Sequence, residues 1–312
     1  MGAIDVRAAE ARRVRRIGRR PALTWRETAS AYLSLTKPRI IMLLLITTIP
    51  TMILAAKGLP SVWLMTATVI GGTLAAGGAN AINCYLDRDI DELMHRTQGR
   101  PLPLGKIEPV NALIFALVLE AAAFALLSFE ANVLAACLAL SATAFYVFVY
   151  TMWLKRTTSQ NIVIGGAAGA FPPLVAWAAV RGDVGLPAIV LFAVIFFWTP
   201  PHFWALSIKY RDDYARAGVP MLPVVSTLAD TKNQMFVYSV LLVPVSLLLV
   251  ATGTVSWIYG GAAVVLGSMF AWQTWRLRAG GEGRSEMSVF GFSILYLALI
   301  FVAVAADQLL LG

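Results

Sequence analysis

Charged residues are scarce in this 312-residue chain, where Asp, Glu, Lys and Arg make up 13% and hydrophobic residues 59%. A soluble globular domain carries about 25% charged residues, so this composition excludes an ordinary soluble fold. Cysteine is also scarce, with only Cys84 and Cys137. They form no CxxC pattern and both fall inside long apolar segments, so we interpret them as packing residues and expect no disulfide framework.

Long apolar segments recur along the chain at the length that a membrane span requires. A helix needs about 20 mostly apolar residues to cross roughly 30 Å of hydrocarbon. The sequence therefore predicts an all-α, polytopic membrane bundle with nine transmembrane helices. They lie near residues 38–56, 61–86, 110–129, 131–153, 161–181, 185–208, 233–252, 255–275 and 287–311.

The distribution of Lys and Arg predicts the orientation of these spans. On one predicted side lie 23 of the 25 cations, and only Lys57 and Arg181 lie on the other. Because cytoplasmic loops carry the excess of positive charge, we expect a cytoplasmic or matrix N-terminus and a C-terminus outside. The net charge of +8 is then topological and does not indicate nucleic acid. The predicted domains are a basic tail, 1–36, and a membrane domain, 37–312.

The basic tail has two interpretations. It is Arg-rich like a transit peptide, but Asp5, Glu10 and Glu27 are unusual in one. We therefore expect a tail that contacts anionic lipid and favour the bacterial plasma membrane over the mitochondrial inner membrane. The basic tract consists of Arg12, Arg13, Arg15, Arg16, Arg19 and Arg20.

A first acidic segment follows the second predicted span. Asn83, Asp87 and Asp91 stand at i, i+4 and i+8, so on a helix they share one face. Two carboxylates and a carboxamide suit Mg²⁺, which takes one or two protein carboxylates and completes its shell with water and phosphate oxygens. The alternative is a solvated helix end whose acids pair with nearby arginines: Arg88, Arg96 and Arg100.

Cations lie close to this acidic segment in sequence and recur in a later loop. Arginine forks match the oxygens of a phosphate, so the cations after Asp91 suggest a metal-diphosphate site. A loop between the fourth and fifth spans could also hold phosphate, although a positive-inside anchor explains its cations equally well. The residues concerned are His95, Arg96, Arg100, Lys155 and Arg156.

A second acidic segment, around Asp212 and Asp213, follows the sixth span. It lies four helices after the first segment and therefore emerges on the same face of the membrane. This recurrence suggests an internal repeat of four helices plus one extra. Two acidic sites facing each other could hold two Mg²⁺ ions that bridge and neutralise a departing diphosphate.

Proline pairs interrupt two spans. Pro172-Pro173 predicts a kink in the fifth span, and Pro200-Pro201 predicts a broken helix in the sixth, directly before His202. Polar residues inside the membrane are expensive and often functional. His202 could ligate a haem iron, position a diphosphate or act on a proton; alternatively, it hydrogen-bonds a carbonyl that the prolines leave free.

Four sequence segments together resemble a known family. In a nine-span chain, the two acidic segments resemble the UbiA superfamily of intramembrane prenyltransferases. Within it, the chain more narrowly resembles the protohaem IX farnesyltransferases, which make haem O, from about Lys37 to at least Val225. The segments that carry the resemblance are DRDIDELMHRTQGRPL, NIVIGGAAGAFPP, WTPPHFWALSI and DDYARAGVPMLPVV.

The resemblance implies roles for individual residues. It implies metal and diphosphate ligands at Asn83, Asp87 and Asp91, and a second acidic motif at Asp212 and Asp213. The DxxxD spacing common in the superfamily is missing from the second motif, because Lys209 stands four residues before Asp213 and could contact phosphate directly. The resemblance assigns five residues to the diphosphate or to haem propionates: His95, Arg96, Arg100, Lys155 and Arg156. His202 and Tyr214 are also expected to bind substrate.

The reaction that the resemblance implies is transfer of the farnesyl group of farnesyl diphosphate to a vinyl group of haem B. It would require Mg²⁺, with the lipid bilayer as surroundings and a downstream haem A synthase as a further partner. One alternative is prenyl transfer to a quinone precursor or another aromatic acceptor. Another is a membrane haem carrier or transporter, since intramembrane polar groups also mark transport paths.

Overall fold

The structure is a computed structural model that describes residues 23–280 and 285–312. The described residues form helices and connecting loops, with no β-strand among them. The helices, numbered in chain order, are α1 Trp25–Leu35, α2 Pro38–Ala56, α3 Val62–Leu86, α4 Arg88–Leu93, α5 Pro109–Glu130, α6 Val133–Thr157, α7 Asn161–Arg181, α8 Leu186–Lys209, α9 Arg211–Arg216, α10 Leu222–Val225, α11 Leu228–Ala251, α12 Trp257–Arg278 and α13 Glu286–Leu311.

Helices occupy all nine positions at which the sequence predicts a span. Seven of them are long and apolar enough to cross a membrane: α3, α5, α6, α7, α8, α11 and α13. The helices α2 and α12 are not among the seven, and the apolar part of α2, Ile41–Ala56, is shorter than the others. The polytopic all-α bundle is confirmed, whereas the count of nine spans stays a prediction.

The proline pairs act differently in their two helices. In α7, a 3₁₀ stretch, Gly166–Ala170, precedes a new α-helical start with Pro172 in its first turn, as the predicted kink requires. In α8, the helix continues through Pro200 and Pro201, so the prediction of a broken helix there is wrong. Transmembrane helices tolerate internal proline because neighbouring groups compensate for the missing backbone bond.

Two of the clusters of buried apolar residues lie in different groups of helices, and one of these clusters is formed by α3, α5, α6 and α7. Small residues in α3 allow close contact with α5, and a Cβ added at Gly78 would lie 2.6 Å from Oε1 of Glu120. The other core lies among α8, α11, α12 and α13 and includes the fully buried Phe270, Tyr296 and Phe301. Because α2 contacts α3, α7 and α13, it connects the two groups.

The end of the predicted tail, residues 1–36, contains the helix α1, and the boundary between tail and membrane domain stays a prediction. Thr24 and Glu27 form a reciprocal capping box that starts the helix. Leu35 is fully buried and packs with Cys84 of α3, so α1 belongs to the bundle. Cys84 is buried as predicted, but Cys137 is exposed on α6, where packing within the chain does not explain it. The basic tract from Arg12 to Arg20 lies outside the described residues.

Candidate functional site

The first acidic segment keeps its helical spacing across a junction between two helices. The helix α3 ends at Leu86 and α4 begins at Arg88. Backbone hydrogen bonds bridge the junction, from the Asp87 N–H to the Asn83 carbonyl (2.9 Å) and from the Asp91 N–H to the Asp87 carbonyl (2.8 Å). The three side chains therefore form one column, with exposed fractions of 3%, 0% and 2% for Asn83, Asp87 and Asp91.

Asp87 lies at the centre of this acidic column. Its Oδ2 accepts a hydrogen bond from Nδ2 of Asn83 (2.7 Å) and another from Nζ of Lys155. Its Oδ1 is buried and has no hydrogen-bond partner among the described residues, with the Arg156 guanidinium 3.8 Å away. A buried carboxylate oxygen without a partner is costly, so this atom has unused capacity for a ligand.

Each of the neighbouring carboxylates pairs with its own arginine. Arg100 contacts both oxygens of Asp91, at 2.8 and 2.7 Å. Arg156 likewise contacts both oxygens of Asp89, at 2.7 and 2.8 Å, and these bonds lower the pKa of Asp89 to about 2. The structure thus brings Arg100, Lys155 and Arg156 to the acidic column, from two separate stretches of the sequence.

Lys37 also reaches the acidic column, although nothing in the sequence predicted this contact. Its Nζ donates to Oδ1 of Asn83 at 2.8 Å, and burial lowers its pKa to about 8. Thr151 is a second residue that the sequence did not single out: its hydroxyl accepts from Nδ2 of Asn83 at 3.1 Å. Thr151 lies in a π-helical stretch, Phe145–Leu154, a local geometry frequent at functional sites.

The second acidic segment meets the loop that follows α4, as expected for segments on one face of the membrane. Asp213 accepts hydrogen bonds from the backbone N–H groups of His95 (3.3 Å) and Arg96 (3.1 Å), and it pairs with Arg216 (3.0 Å). Although burial disfavours its charged form, these contacts outweigh burial and lower the pKa of Asp213. Asp212 is exposed, so the segment presents no second buried column.

Tyrosine rings hold the cations near this loop. The Arg96 guanidinium lies over the rings of Tyr210 (4.9 Å) and Tyr214 (5.5 Å), and it donates to the Tyr214 hydroxyl at 3.2 Å. The Lys209 ammonium is 5.6 Å from the Tyr210 ring centre, and the Lys209 side chain is exposed. His95 is exposed as well and contributes its backbone N–H to Asp213.

A cavity of about 710 Å³ opens beside the acidic column. Its wall consists of residues from α1, the start of α2, the loop after α4 and the end of α8. The described residues that line it include four cations and no acid: Lys37, Arg39, Arg96 and Arg100.

His202 lies within α8, at a distance along the helix from these polar groups. Its ring stacks between Trp198 (4.1 Å) and Phe290 (4.6 Å), and its Nδ1 lies 2.6 Å from Oγ of Ser293. The Ser293 hydroxyl donates to the Phe290 carbonyl, so His202 donates from Nδ1 and keeps a lone pair on Nε2. Its partner is therefore a hydroxyl, and not a carbonyl freed by the prolines.

The donor atoms of the acidic column fit Mg²⁺. Among residues 23–280 and 285–312, no three His, Cys, Asp or Glu side chains lie close enough to hold a metal by themselves. Mg²⁺ needs only one or two protein carboxylates, because water and substrate phosphates supply its other ligands. Asp87, with its unpartnered Oδ1, and Asp91 are the two buried carboxylates of the column that could hold such an ion.

Comparisons with known proteins identify close relatives. The chain is 53% identical over 298 residues to a protohaem IX farnesyltransferase of Chloroflexus aurantiacus, covering 95% of this chain and 50% of that protein. It is 54% identical to the enzyme of that name from Gloeobacter violaceus, covering 90% of this chain and 92% of the relative. The chain thus spans half the length of the first relative and nearly all of the second.

Solved structures share the fold. A digeranylgeranylglyceryl phosphate synthase structure superposes with a TM-score of 0.73 at 18% identity, covering 90% of this chain and 99% of that chain. A UbiA homologue from Archaeoglobus fulgidus, bound to DMAPP and Mg²⁺, gives a TM-score of 0.62 at 16% identity, covering 88% and 99%. The sequence pattern of the UbiA prenyltransferase family matches residues 44–304. The chain therefore belongs to the UbiA prenyltransferase family.

Proposed function

We propose that this protein transfers the farnesyl group of farnesyl diphosphate to a vinyl group of haem B and thereby forms haem O. The observation that carries the proposal is the buried acidic column, where Asp87 offers an unpartnered oxygen between Lys155 and Arg156. This arrangement suits a metal-bound diphosphate. The names of the relatives, which are about half identical in sequence, support haem B as the acceptor.

Asp87 and Asp91 would hold Mg²⁺, with Asn83 beside them, in this proposal. When bound, Mg²⁺ supplies positive charge that stabilises the diphosphate as it leaves. Lys155 and Arg156 would move from their carboxylates to the phosphate oxygens, since cationic donors bind phosphate strongly. The second motif offers Asp212 and Asp213 as further candidate ligands, and of these two residues Asp213 is buried and Asp212 is exposed.

The proposed reaction breaks the bond between the farnesyl C1 and the diphosphate oxygen, and the electron pair leaves with diphosphate. The vinyl group attacks the resulting allylic cation through its terminal carbon, and water adds to the carbon next to the porphyrin ring with loss of one proton. The products are the hydroxyethylfarnesyl side chain of haem O, diphosphate and a proton. The bundle would exclude water from the allylic cation until the vinyl group captures it.

His202 and Tyr214 are proposed substrate contacts of different kinds. The Nε2 lone pair of His202 can bind a haem iron or accept a proton, and Tyr214 fixes Arg96. Lys209 and His95 are proposed to contact phosphate or propionate oxygens from the exposed rim. We further propose a bacterial plasma-membrane location with the N-terminus cytoplasmic, and haem A synthase as the enzyme that receives the product.

The test is mass spectrometry of haems extracted from membranes of a bacterial strain that lacks haem O synthase. The strain would express either this chain or its Asp87→Asn variant, with the amount of each in the membrane measured. Haem O from the unmodified chain, and not from the variant, supports the proposal. If neither makes haem O although both are present, the acceptor assignment fails, and prenyl transfer to quinone precursors becomes the next assay.

A further inference from the structure

The cations that line the 710 Å³ cavity are not matched by acids. Among the described residues, Arg100 alone of the four is paired with a carboxylate, that of Asp91. Lys37 contacts the neutral Asn83, and Arg96 contacts tyrosine. Because no acid lies in the described part of the cavity wall, these positive charges repel one another unless an anion binds among them.

The cavity and the acidic column suit different anions. A metal diphosphate needs carboxylates for the metal, and the column supplies them together with Lys155 and Arg156. A cavity that offers cations without carboxylates suits an anion that binds without metal, and arginine matches a carboxylate with two parallel hydrogen bonds. Haem B carries two carboxylates, whereas farnesyl diphosphate carries none.

We propose that this cavity binds the two propionate carboxylates of the haem acceptor, with Arg39 and Arg96 as their principal contacts. The inference rests on the proposed function and assigns the acceptor's polar edge to a site separate from the diphosphate. Arg39 has no role in the acidic column, and neither it nor Arg96 forms an ion pair among the described residues.

The composition and position of the cavity wall agree with an amphiphilic ligand. Leu33 of α1, Leu206 of α8 and the ring of Tyr210 contribute apolar surface beside the cations. Lys37 and Arg100 line the cavity and also contact the acidic column. A haem held by its propionates here therefore lies next to the bound diphosphate, and the cavity volume falls within the range of about 300–1,000 Å³ usual for small-molecule sites.

The test compares haem B with its dimethyl ester, in which both propionates are uncharged. Absorbance titrations of the purified full chain in nanodiscs give the Kd of each haem, and a separate assay gives the Kd of radiolabelled farnesyl diphosphate with Mg²⁺. We expect the unmodified chain to bind haem B about tenfold more tightly than the ester. Arg39→Gln should raise the Kd of haem B about tenfold while the ester and farnesyl diphosphate bind as before.

The matched control is Lys106→Gln, which removes an exposed cation outside this cavity; all three Kd values should stay unchanged. Arg39 is itself exposed, and thermal unfolding checks that its variant folds. Equal Kd values for haem B and the ester would overturn the inference. A loss of farnesyl diphosphate binding in Arg39→Gln would also overturn it, because the cavity would then be a phosphate site. Failure of the proposed function is distinct: the chain then makes no haem O, whatever its preference between the two haems.

Discussion

The two acidic segments occupy equivalent places in the sequence but differ in the structure. Each follows a long helix and lies in or beside a short one, α4 or α9. The first turns Asp87 inward, fully buried, with one oxygen unpartnered. The second leaves Asp212 exposed and uses Asp213 to bind the backbone of residues 95 and 96.

This difference indicates that the two acidic segments have different roles. The first has the free oxygen and surrounding cations that a metal diphosphate requires. The second fastens the loop that carries Arg96 and Arg100, because Asp213 accepts from two consecutive N–H groups in that loop. We therefore propose that Asp213 positions the cations, and that direct metal binding belongs to the first segment. The two-ion arrangement suggested by the sequence stays a prediction.

The largest effect is expected at Asp87. The Asp87→Asn variant keeps the shape of the side chain but removes the charge that faces the metal, so activity should fall at least about 100-fold. Initial rates of haem O formation by purified protein measure this. Circular dichroism and thermal unfolding must show a folded variant, and activity within a few-fold of the unmodified chain would contradict the proposed role.

A smaller effect is expected at Asp213. The Asp213→Asn variant weakens the bonds to the His95 and Arg96 amides, so activity should fall about tenfold. Hydrogen exchange at these two amides should become faster, which a direct metal ligand would not require. Asp212→Asn is the matched control, with less than about a twofold change expected because Asp212 is exposed. Equal losses in both variants would contradict the positioning role.

Tyr214→Phe should have a moderate effect. It removes the hydroxyl that accepts from Arg96 but keeps the ring beneath the guanidinium, so the loss should be about threefold. The loss should appear in KM for the acceptor and leave KM for farnesyl diphosphate unchanged. An effect confined to farnesyl diphosphate would place Arg96 at the phosphate instead.

The smallest effect is expected at Asp89, whose pair with Arg156 is largely exposed. Asp89→Asn should change activity only about twofold, since exposed ion pairs contribute little. The pKa of Asp89 is lowered to about 2, whereas an Asp in the unfolded chain has a pKa of about 3.9. The ion pair therefore makes its full contribution to stability above about pH 3.9, and this contribution is lost as the pH falls through about 2. The activity ratio of variant to unmodified chain should therefore be constant from about pH 5 to 8.

The sequence predicted the scaffold and the acidic column because both depend on local spacing. The length of an apolar segment predicts a membrane span, and the i, i+4, i+8 spacing predicts which side chains share a helix face. Both features depend only on the helix that contains them. The prediction of a break at Pro200-Pro201 was wrong because tertiary surroundings decide whether a proline pair interrupts a membrane helix. The sequence did not predict that α1 packs against the bundle, because a short helix is stabilised mainly by tertiary packing of its apolar face.

The contacts that complete the candidate site could not be predicted in the same way. Lys37 approaches Asn83 from 46 residues away, and Lys155 approaches Asp87 from 68 residues away. No pattern in one sequence specifies such partners, because they depend on how α2, α3 and α6 pack. The hydrogen bonds from the His95 and Arg96 N–H groups to Asp213 could not be predicted for the same reason. The residues around Asp213 in the sequence do not indicate which distant N–H groups its carboxylate binds.

The most direct measurement is Mg²⁺-dependent binding of farnesyl diphosphate to the unmodified chain, Asp87→Asn and Asp213→Asn. Radiolabelled farnesyl diphosphate would be titrated with Mg²⁺ present and with the metal removed by chelation. The account predicts tight, Mg²⁺-dependent binding by the unmodified chain and by Asp213→Asn, and weak binding without Mg²⁺ dependence by Asp87→Asn. Retention of Mg²⁺-dependent binding in Asp87→Asn, with its loss in Asp213→Asn, would contradict the assignment of the metal to the first acidic segment.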